Sequence, residues 1–408
     1  MKEKYERHCQ NNFLQCYKRG NSTEMKKILI VNNNMHIGGI QKSLVNLLNE
    51  VSDKYETELL LFADTGELRD SIPKNVKITE GGFFTRIMGL SHKEAKDKGI
   101  VTYLHRSFWV VMTKLFKTRF SFGVLSKLSK MSSEYDCAVS FMQNNDERMF
   151  YGGCVEFVLN AVKSPEKICF IHCDFPSYGG NNAYNRKMLE CFDKTAVVSD
   201  SVGKRLLAAA PALEGKIYTV HNCCNYDEIK RLSDDYKADY TDGSVNLFSA
   251  ARLRKEKGIT RMIPILKRIK DRGIEFVWRI AGTGEDLNEV RELIKENKLG
   301  DNIILLGELT NPYPYFKKSD IVLVPSYNEA APMVYDEAAA FGTPVFTTDT
   351  TSAAEMIATP GIGWVCENDD KDIEKRLFEV MRSFKPHKNK CENVNNERAV
   401  SEFIKLIG

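Results

Sequence analysis

Short apolar runs separated by helix-forming stretches recur along most of this chain, and that alternation limits the fold more than any other feature. KKILIVNNN, which follows Met25, leads through a glycine turn, HIGG, into QKSLVNLLNEVS, where Leu44, Val45, Leu48 and Val51 fall at helical spacing. YETELLLFA, YDCAVSF, KICFIHC, KTAVVSD and KIYTVHN follow, each with the length and composition of a fully buried parallel strand. A polar stretch from Tyr226 to Gly243 breaks the rhythm, and VNLFSAA, EFVWRIAG, NIILLG, DIVLVPS and TPVFTTD restore it. The expected fold class is α/β, with two doubly wound, Rossmann-like domains joined by a linker near Asn222–Gly243. A ligand is expected in the cleft between them, where strand carboxyl ends converge.

Bulk properties agree with that division. At 408 residues the chain exceeds one ordinary core. A hydrophobic fraction of 43% with 28% charged residues describes a globular protein, and a net charge of +3 gives no reason to expect nucleic acid as a partner. No run of 18 apolar residues occurs, so no membrane span is expected. The eleven cysteines lack zinc spacing: Cys223 and Cys224 are adjacent, and Cys169 and Cys173 flank His172 without a second pair. Residues 1–24 are polar, with no signal-like apolar centre, so the thiols read as reduced and the protein as cytoplasmic.

Three loops of the second half carry chemistry. In AARLRKEKGIT, Arg252 and Lys257 lie between a strand and a helix, a setting that suits an anionic ligand. AGTGEDL holds Gly282 and Gly284 but has Leu287 where a dinucleotide fingerprint needs its third glycine, so it reads equally as a packing turn. NEAAPMVYDEA places Glu329 and Glu337 around Pro332, which is expected as the first residue of a helix. Glu329 would then lie in the loop, and Glu337 about one and a half turns into the helix. Val334, Ala338 and Phe341 are expected to face the sheet. Each carboxylate alone fits an ordinary solvated or helix-dipole role. Together with the Arg/Lys loop they suggest carboxylates beside a phosphate-binding surface.

ARLRKEKG, IAGTGED, NIILLGEL, DIVLVPS and NEAAPMVYDEAAAFGTPV, in this order, resemble the second domain of retaining GT-B glycosyltransferases of glycosyltransferase family 4. The resemblance spans Val245 to Ile357. It is looser in the first domain, where HIGGIQKSL, FIHCDF and VVSDSV carry it. It implies a GT-B fold: a polar extension at 1–24, an acceptor domain at 25–222 and a donor domain at 223–385. A tail and helix at 386–408 would pack back on the first domain. It also implies that Arg252 and Lys257 bind the diphosphate of a nucleotide sugar, helped by the N–H groups of Met333 and Val334. Glu337 would take the ribose and Glu329 the transferred sugar, while the loop around Leu309 would cover the base. Gly38 and Gly39 would allow close approach of donor or acceptor, and His172 would reach the sugar from the first domain. The implied activity is retaining transfer of a hexose-type sugar from a donor such as a UDP- or GDP-sugar to a sugar, glycolipid or lipid-linked acceptor, in polysaccharide or glycolipid biosynthesis. No cofactor and no metal are implied, since positive side chains can take the metal's role and no Asp-x-Asp occurs. Ala330 and Ala331 depart from the family, which often has glycine after the first glutamate.

Residues 99–133 hold six basic residues (Arg106, Lys114, Lys117, Arg119, Lys127 and Lys130) and no acidic one. Tyr103, Phe108, Trp109, Phe116, Phe120 and Phe122 are interleaved with them. Such a segment suits the surface of an anionic membrane, on its inner face, and equally suits core-packing helices with a solvated basic side. Two other functions remain open at this level: a non-catalytic nucleotide-sugar-binding homologue, and an NAD-dependent oxidoreductase resting on AGTGED alone.

Overall fold

The computed structural model describes residues 25–384 and 394–408. The expectations for residues 1–24 and for 386–393 of the tail lie outside the described residues.

The first sheet contains β1 (Lys27–Asn32), β2 (Glu56–Leu61), β3 (Lys77–Glu80), β4 (Cys137–Ser140), β5 (Glu166–Ile171), β6 (Lys194–Val197) and β7 (Ile217–Thr219). They are ordered β3-β2-β1-β4-β5-β6-β7, and all pairings are parallel. The second sheet contains β8 (Val245–Ala250), β9 (Phe276–Ala281), β10 (Ile303–Gly307), β11 (Ile321–Val324), β12 (Val345–Thr348) and β13 (Gly363–Cys366). Its order is β10-β9-β8-β11-β12-β13, again parallel throughout. The architecture is thus two doubly wound domains.

The apolar runs are continuous because each strand is covered on both faces. In β1, Leu29 and Val31 join one layer with Leu60 and Phe157, while Ile28 and Ile30 join the other with Leu44 and Leu48. The C-terminal helix, Glu397–Ile407, adds Ala399, Phe403, Leu406 and Ile407 to that second layer, so the end of the chain belongs to the first domain's core. In the second domain Leu247 packs with Trp278 and Ile263, and its neighbour Phe248 packs on the opposite face with Val322 and Tyr335.

Strand order reverses between β1 and β4 in one sheet and between β8 and β11 in the other. At such points neighbouring loops diverge and leave a crevice at the strand carboxyl ends. The two domains are tied together beside these crevices. Ser199 and Ser352 share a hydrogen bond of 2.6 Å, and Glu355 accepts from the amides of Asp200 and Ser201 at 3.1 and 2.8 Å.

Two expectations need correction. The polar stretch after Asn222 is not a free linker: it forms the helix Tyr226–Leu232, whose Ile229 packs with Cys224, Met333 and Ala340. Further along, Ala238 enters the second domain's core and Tyr236 donates to the carbonyl of Asn311. Its polarity reflects a half-buried surface segment.

The basic, aromatic stretch forms the helix Ile100–Lys127, broken at Lys117, which has φ 67°. Trp109 and Phe122 are core residues, not surface aromatics. Arg106 is committed to the carbonyl of Leu90 and Lys117 to Glu147. Ile100, Val101, Leu104, Phe108, Val111 and Leu115 remain on the outside, each more than half exposed. No helix among the described residues is long and apolar enough to cross a membrane.

Candidate active site

The loop after β8 brings Arg252 to the cleft. Its Nη2 donates to the carbonyl of Ile37 in the first domain at 2.6 Å. This loop is held by close backbone contact with AGTGED. A Cβ on Gly282 would come within 1.9 Å of the Ala251 carbonyl oxygen, and one on Gly284 within 2.2 Å of that of Leu253. The Arg252 loop therefore fills the space that a dinucleotide phosphate would need against these glycines. Their function here is to let two loops touch.

A second seam joins this loop to the loop after β11. Gly258 sits at φ 66°, where a side chain is strained, and a Cβ there would meet the Pro325 carbonyl oxygen at 2.0 Å. Beside it, Lys257 Nζ lies 2.6 Å from Glu329 Oε1, which also accepts from Ser326 Oγ at 2.7 Å. The expected phosphate ligand and the expected sugar ligand are thus ion-paired to each other. Arg261, not singled out from the sequence, fixes the Glu329 loop. It donates to the Pro325 and Ser326 carbonyls, and its guanidinium lies 3.9 Å from the centre of the Tyr327 ring.

Pro332 is the residue before the helix, with φ −73° and ψ 129°, and the helix runs Met333–Ala339. That is one residue later than expected. The first helical N–H with a partner here is that of Tyr335, which donates to the Pro332 carbonyl. The amides of Met333 and Val334 therefore precede the internal ladder, as helix geometry requires of a first turn. Ala338 is buried, and Val334, Phe341 and Leu309 pack more loosely against the same cluster. Tyr335 occupies the centre of that face, hydrogen-bonded to Thr347 Oγ1 at 2.8 Å.

Glu337 is buried and faces the first domain, where Lys42 Nζ lies 3.1 Å from its Oε1. This carboxylate holds the Lys42 ammonium above the usual lysine range, against the opposing effect of burial. Asp336, next in the chain, is shielded by the surrounding protein although partly open to solvent. That shielding, with Glu337 alongside, pushes its carboxyl up to about 7. Lys42 was not legible as a site residue, because its partner lies 295 positions away. Its place in HIGGIQKSL, next to the glycine pair, was the available signal.

The remaining expected residues belong to the first domain. Gly38 is the extended residue that opens the helix Gly39–Val51, and its side-chain space faces Gln41 and Arg252. In front of Gly39 there is open space for 4 Å. His172 follows β5, with its ring stacked on Phe170 and its Nε2 3.0 Å from the Phe141 carbonyl oxygen. A carbonyl can only accept, so Nε2 carries the proton and Nδ1 is left as an acceptor. Burial pushes this imidazole down to about 4, which keeps it neutral.

The alanines between the two glutamates also find a role. Ala330 is buried within the first domain's core cluster, with Ala331 packed beside it, and the Ala331 carbonyl accepts from Asn222 Nδ2 at 3.1 Å. Glu329 and Glu337 are therefore held on either side of an interdomain contact. Arg252, Lys257, Glu329 and Glu337 come from loops beside the β8–β11 reversal, with Gly38 and Lys42 opposite. Leu309 stands apart from these contacts. No cluster of three or more His, Cys, Asp or Glu residues placed to hold a metal occurs among the described residues.

Residues 237–397 match the family model described as glycosyl transferases group 1. The chain is 29% identical over 154 residues to the uncharacterized glycosyltransferase MJ1059 of Methanocaldococcus jannaschii, covering 36% of this chain and 38% of that protein. It is 32% identical over 149 residues to the putative colanic acid biosynthesis glycosyltransferase WcaL of Salmonella typhimurium, covering 34% and 36% respectively. These matches span little more than a third of either relative. Among solved structures, HepE of Anabaena in complex with UDP and glucose superposes with a TM-score of 0.62 at 14% identity, covering 94% of this chain and 97% of that one. The fold is GT-B: two Rossmann-like domains facing each other across a cleft.

Proposed function

We propose that this protein is a retaining glycosyltransferase that moves a hexose-type sugar from a nucleoside diphosphate sugar to a hydroxyl acceptor, in polysaccharide or glycolipid biosynthesis. The observation that carries this reading is the convergence of Arg252, Lys257, Glu329 and Glu337 on one side of the cleft, within the segment matched by the group 1 glycosyltransferase model. UDP and glucose in the HepE complex support a nucleotide sugar as donor.

In this reading the diphosphate lies between Arg252, Lys257 and the open amides of Met333 and Val334, and the ribose meets Glu337. Negative charge builds on the leaving phosphate as the glycosidic bond breaks, so these cations stabilise the transition state more than the bound donor. An arriving diphosphate would compete with Glu329 for Lys257. That exchange frees the carboxylate for the sugar, which becomes oxocarbenium-like. Neutral His172 would accept a hydrogen bond from a sugar hydroxyl at Nδ1. Arg252 and Lys257 take the role a metal has elsewhere, so transfer is proposed to need none.

The outer face of the helix Ile100–Lys127 favours a second, compatible element: docking on an anionic membrane, on its cytoplasmic side, where a glycolipid acceptor would reside. Its exposed stripe, with Lys114, Arg119, Lys127 and Lys130 on the same segment, combines apolar area with positive charge. The functional reading is tested with a panel of nucleotide sugars, followed by thermal shift and by slow donor hydrolysis. One donor should both stabilise the protein and be hydrolysed. Stabilisation without any turnover would instead favour a non-catalytic nucleotide-sugar-binding protein.

A further inference from the structure

The first domain contains a cavity of about 440 Å³ that the donor-binding residues do not use. It is lined on one side by Asn34, His36 and Tyr151, and on the other by Lys93, Glu94 and Asp97. Its volume falls within the range of small-molecule sites, roughly 300–1,000 Å³.

The cavity is built by the asparagines that end the first strand. Asn33 Nδ2 donates to the carbonyls of Met88 and Gly152, and Asn34 Nδ2 donates to the Gly89 carbonyl at 2.7 Å and reaches the Tyr151 hydroxyl at 3.3 Å. Two distant segments are thereby pinned at the carboxyl end of β1, leaving space between them. The far wall is a short helix, His92–Asp97, stabilised by a capping box between Ser91 and Glu94. His36 bridges the two sides: its Nε2 lies 2.8 Å from Glu94 and its Nδ1 3.3 Å from Glu67.

The position of this cavity relates it to the cleft. His36 precedes Ile37, whose carbonyl binds Arg252, and the Gly38 side-chain position lies 3.3 Å from the same guanidinium. A ligand in the cavity would thus sit within one residue of the group assigned to the donor diphosphate. Lys93 and Asp97 have no ion-pair or hydrogen-bond partner among the described residues, and both are exposed. A phenol, an amide, a carboxylate and an ammonium on two facing walls match a ring that carries several hydroxyls, because each hydroxyl both donates and accepts. A purely anionic ligand would meet Glu94 and Asp97, and an apolar one would leave these groups unpaired.

We propose that this cavity is the acceptor site, and that it takes the hydroxylated ring of a sugar-like acceptor between Tyr151 and the Lys93–Asp97 wall. The inference rests on the glycosyltransferase reading above and deepens it by naming the acceptor's chemical class. The same wall continues through Gly99 into the exposed stripe that begins at Ile100 and Val101, so a hydrophobic carrier attached to the ring would leave along that helix.

The test is saturation-transfer NMR on the full chain, with a panel of methyl glycosides of gluco, galacto, manno and N-acetylgluco configuration, in the presence of UDP or GDP. At least one glycoside should receive saturation on its ring protons. That signal should fall at least about fivefold in the Lys93→Ala, Asp97→Ala double variant, whose two changes lie on the exposed side of a short surface helix. Thermal shifts by UDP or GDP, and donor hydrolysis, should be unchanged in the same variant. No saturation of any glycoside by the wild-type protein, or equal saturation in the variant, would overturn the acceptor assignment while leaving the donor reading standing. Loss of nucleotide response and hydrolysis in the wild-type protein itself would instead overturn the functional reading on which the assignment rests.

Discussion

Glu329 and Glu337 illustrate how one residue type takes different roles from its surroundings. Glu329 is on a loop fixed by Arg261 and is ion-paired to Lys257, whereas Glu337 is buried on a helix and bridges the domains to Lys42. Glu329→Gln is expected to slow turnover by about a hundredfold with little change in donor affinity, the pattern of a contact made in the transition state. Glu337→Ala is expected to raise the donor Kd about tenfold, and calorimetry on both variants separates the two roles. Full activity in a protein carrying Glu329→Ala and Glu337→Ala together would remove both from the site. Asp336 offers a pH test. Its folded-state carboxyl sits at about 7, above its unfolded value, so the folded protein holds a proton that the unfolded chain has released. Stability should therefore fall as pH rises from about 4 to about 7, and the cost is complete above that. Asp336→Asn should raise Tm at pH 8 by at least ~2 °C, with the gain vanishing toward pH 4 in differential scanning fluorimetry. The two glutamates were legible because their spacing around a proline is local. Lys42 and Arg261 were not, since their partners lie 295 and 64 positions away and no local pattern encodes a pairing across a cleft.

The elements of the fold follow from alternation on a larger window. Each continuous apolar run became a strand covered on both faces, and the glycines at 258, 282 and 284 became seams where loops touch. Gly258→Ala adds a methyl group where φ is positive and a carbonyl is in the way. It should destabilise the second domain by at least ~2 kcal/mol in urea unfolding, with loss of activity through displacement of Lys257. The basic aromatic stretch was harder to read. Composition over 35 residues cannot separate the faces of a helix that is broken at Lys117, so Trp109 and Phe122 counted as surface residues although they are core. The structure leaves a narrower outer stripe. Replacing Leu104, Phe108 and Leu115 together by serine should reduce co-flotation with anionic liposomes by about tenfold or more and leave Tm nearly unchanged, because all three are more than half exposed. Unchanged flotation would remove the membrane from the account.

At the scale of the molecule, two parallel sheets meet with their strand-order reversals on the cleft, and the C-terminal helix is part of the first domain's core. The two-domain organisation was legible because each βα series is complete in the sequence. The way the domains contact each other was not, since Ser199–Ser352, Lys42–Glu337 and the packing of Ala330 on the first domain are made only once both have folded. The central claim is that the basic loop after β8 anchors a nucleoside diphosphate beside two carboxylates. Titration calorimetry of UDP and GDP into the wild-type protein and into an Arg252→Ala, Lys257→Ala variant tests it most directly. One of the two nucleotides should bind the wild-type protein at a single site, and the variant should bind it at least ~100-fold more weakly, a loss of about 2.7 kcal/mol. Equal affinity in the two proteins, or no binding of either nucleotide to the wild-type protein, would contradict it.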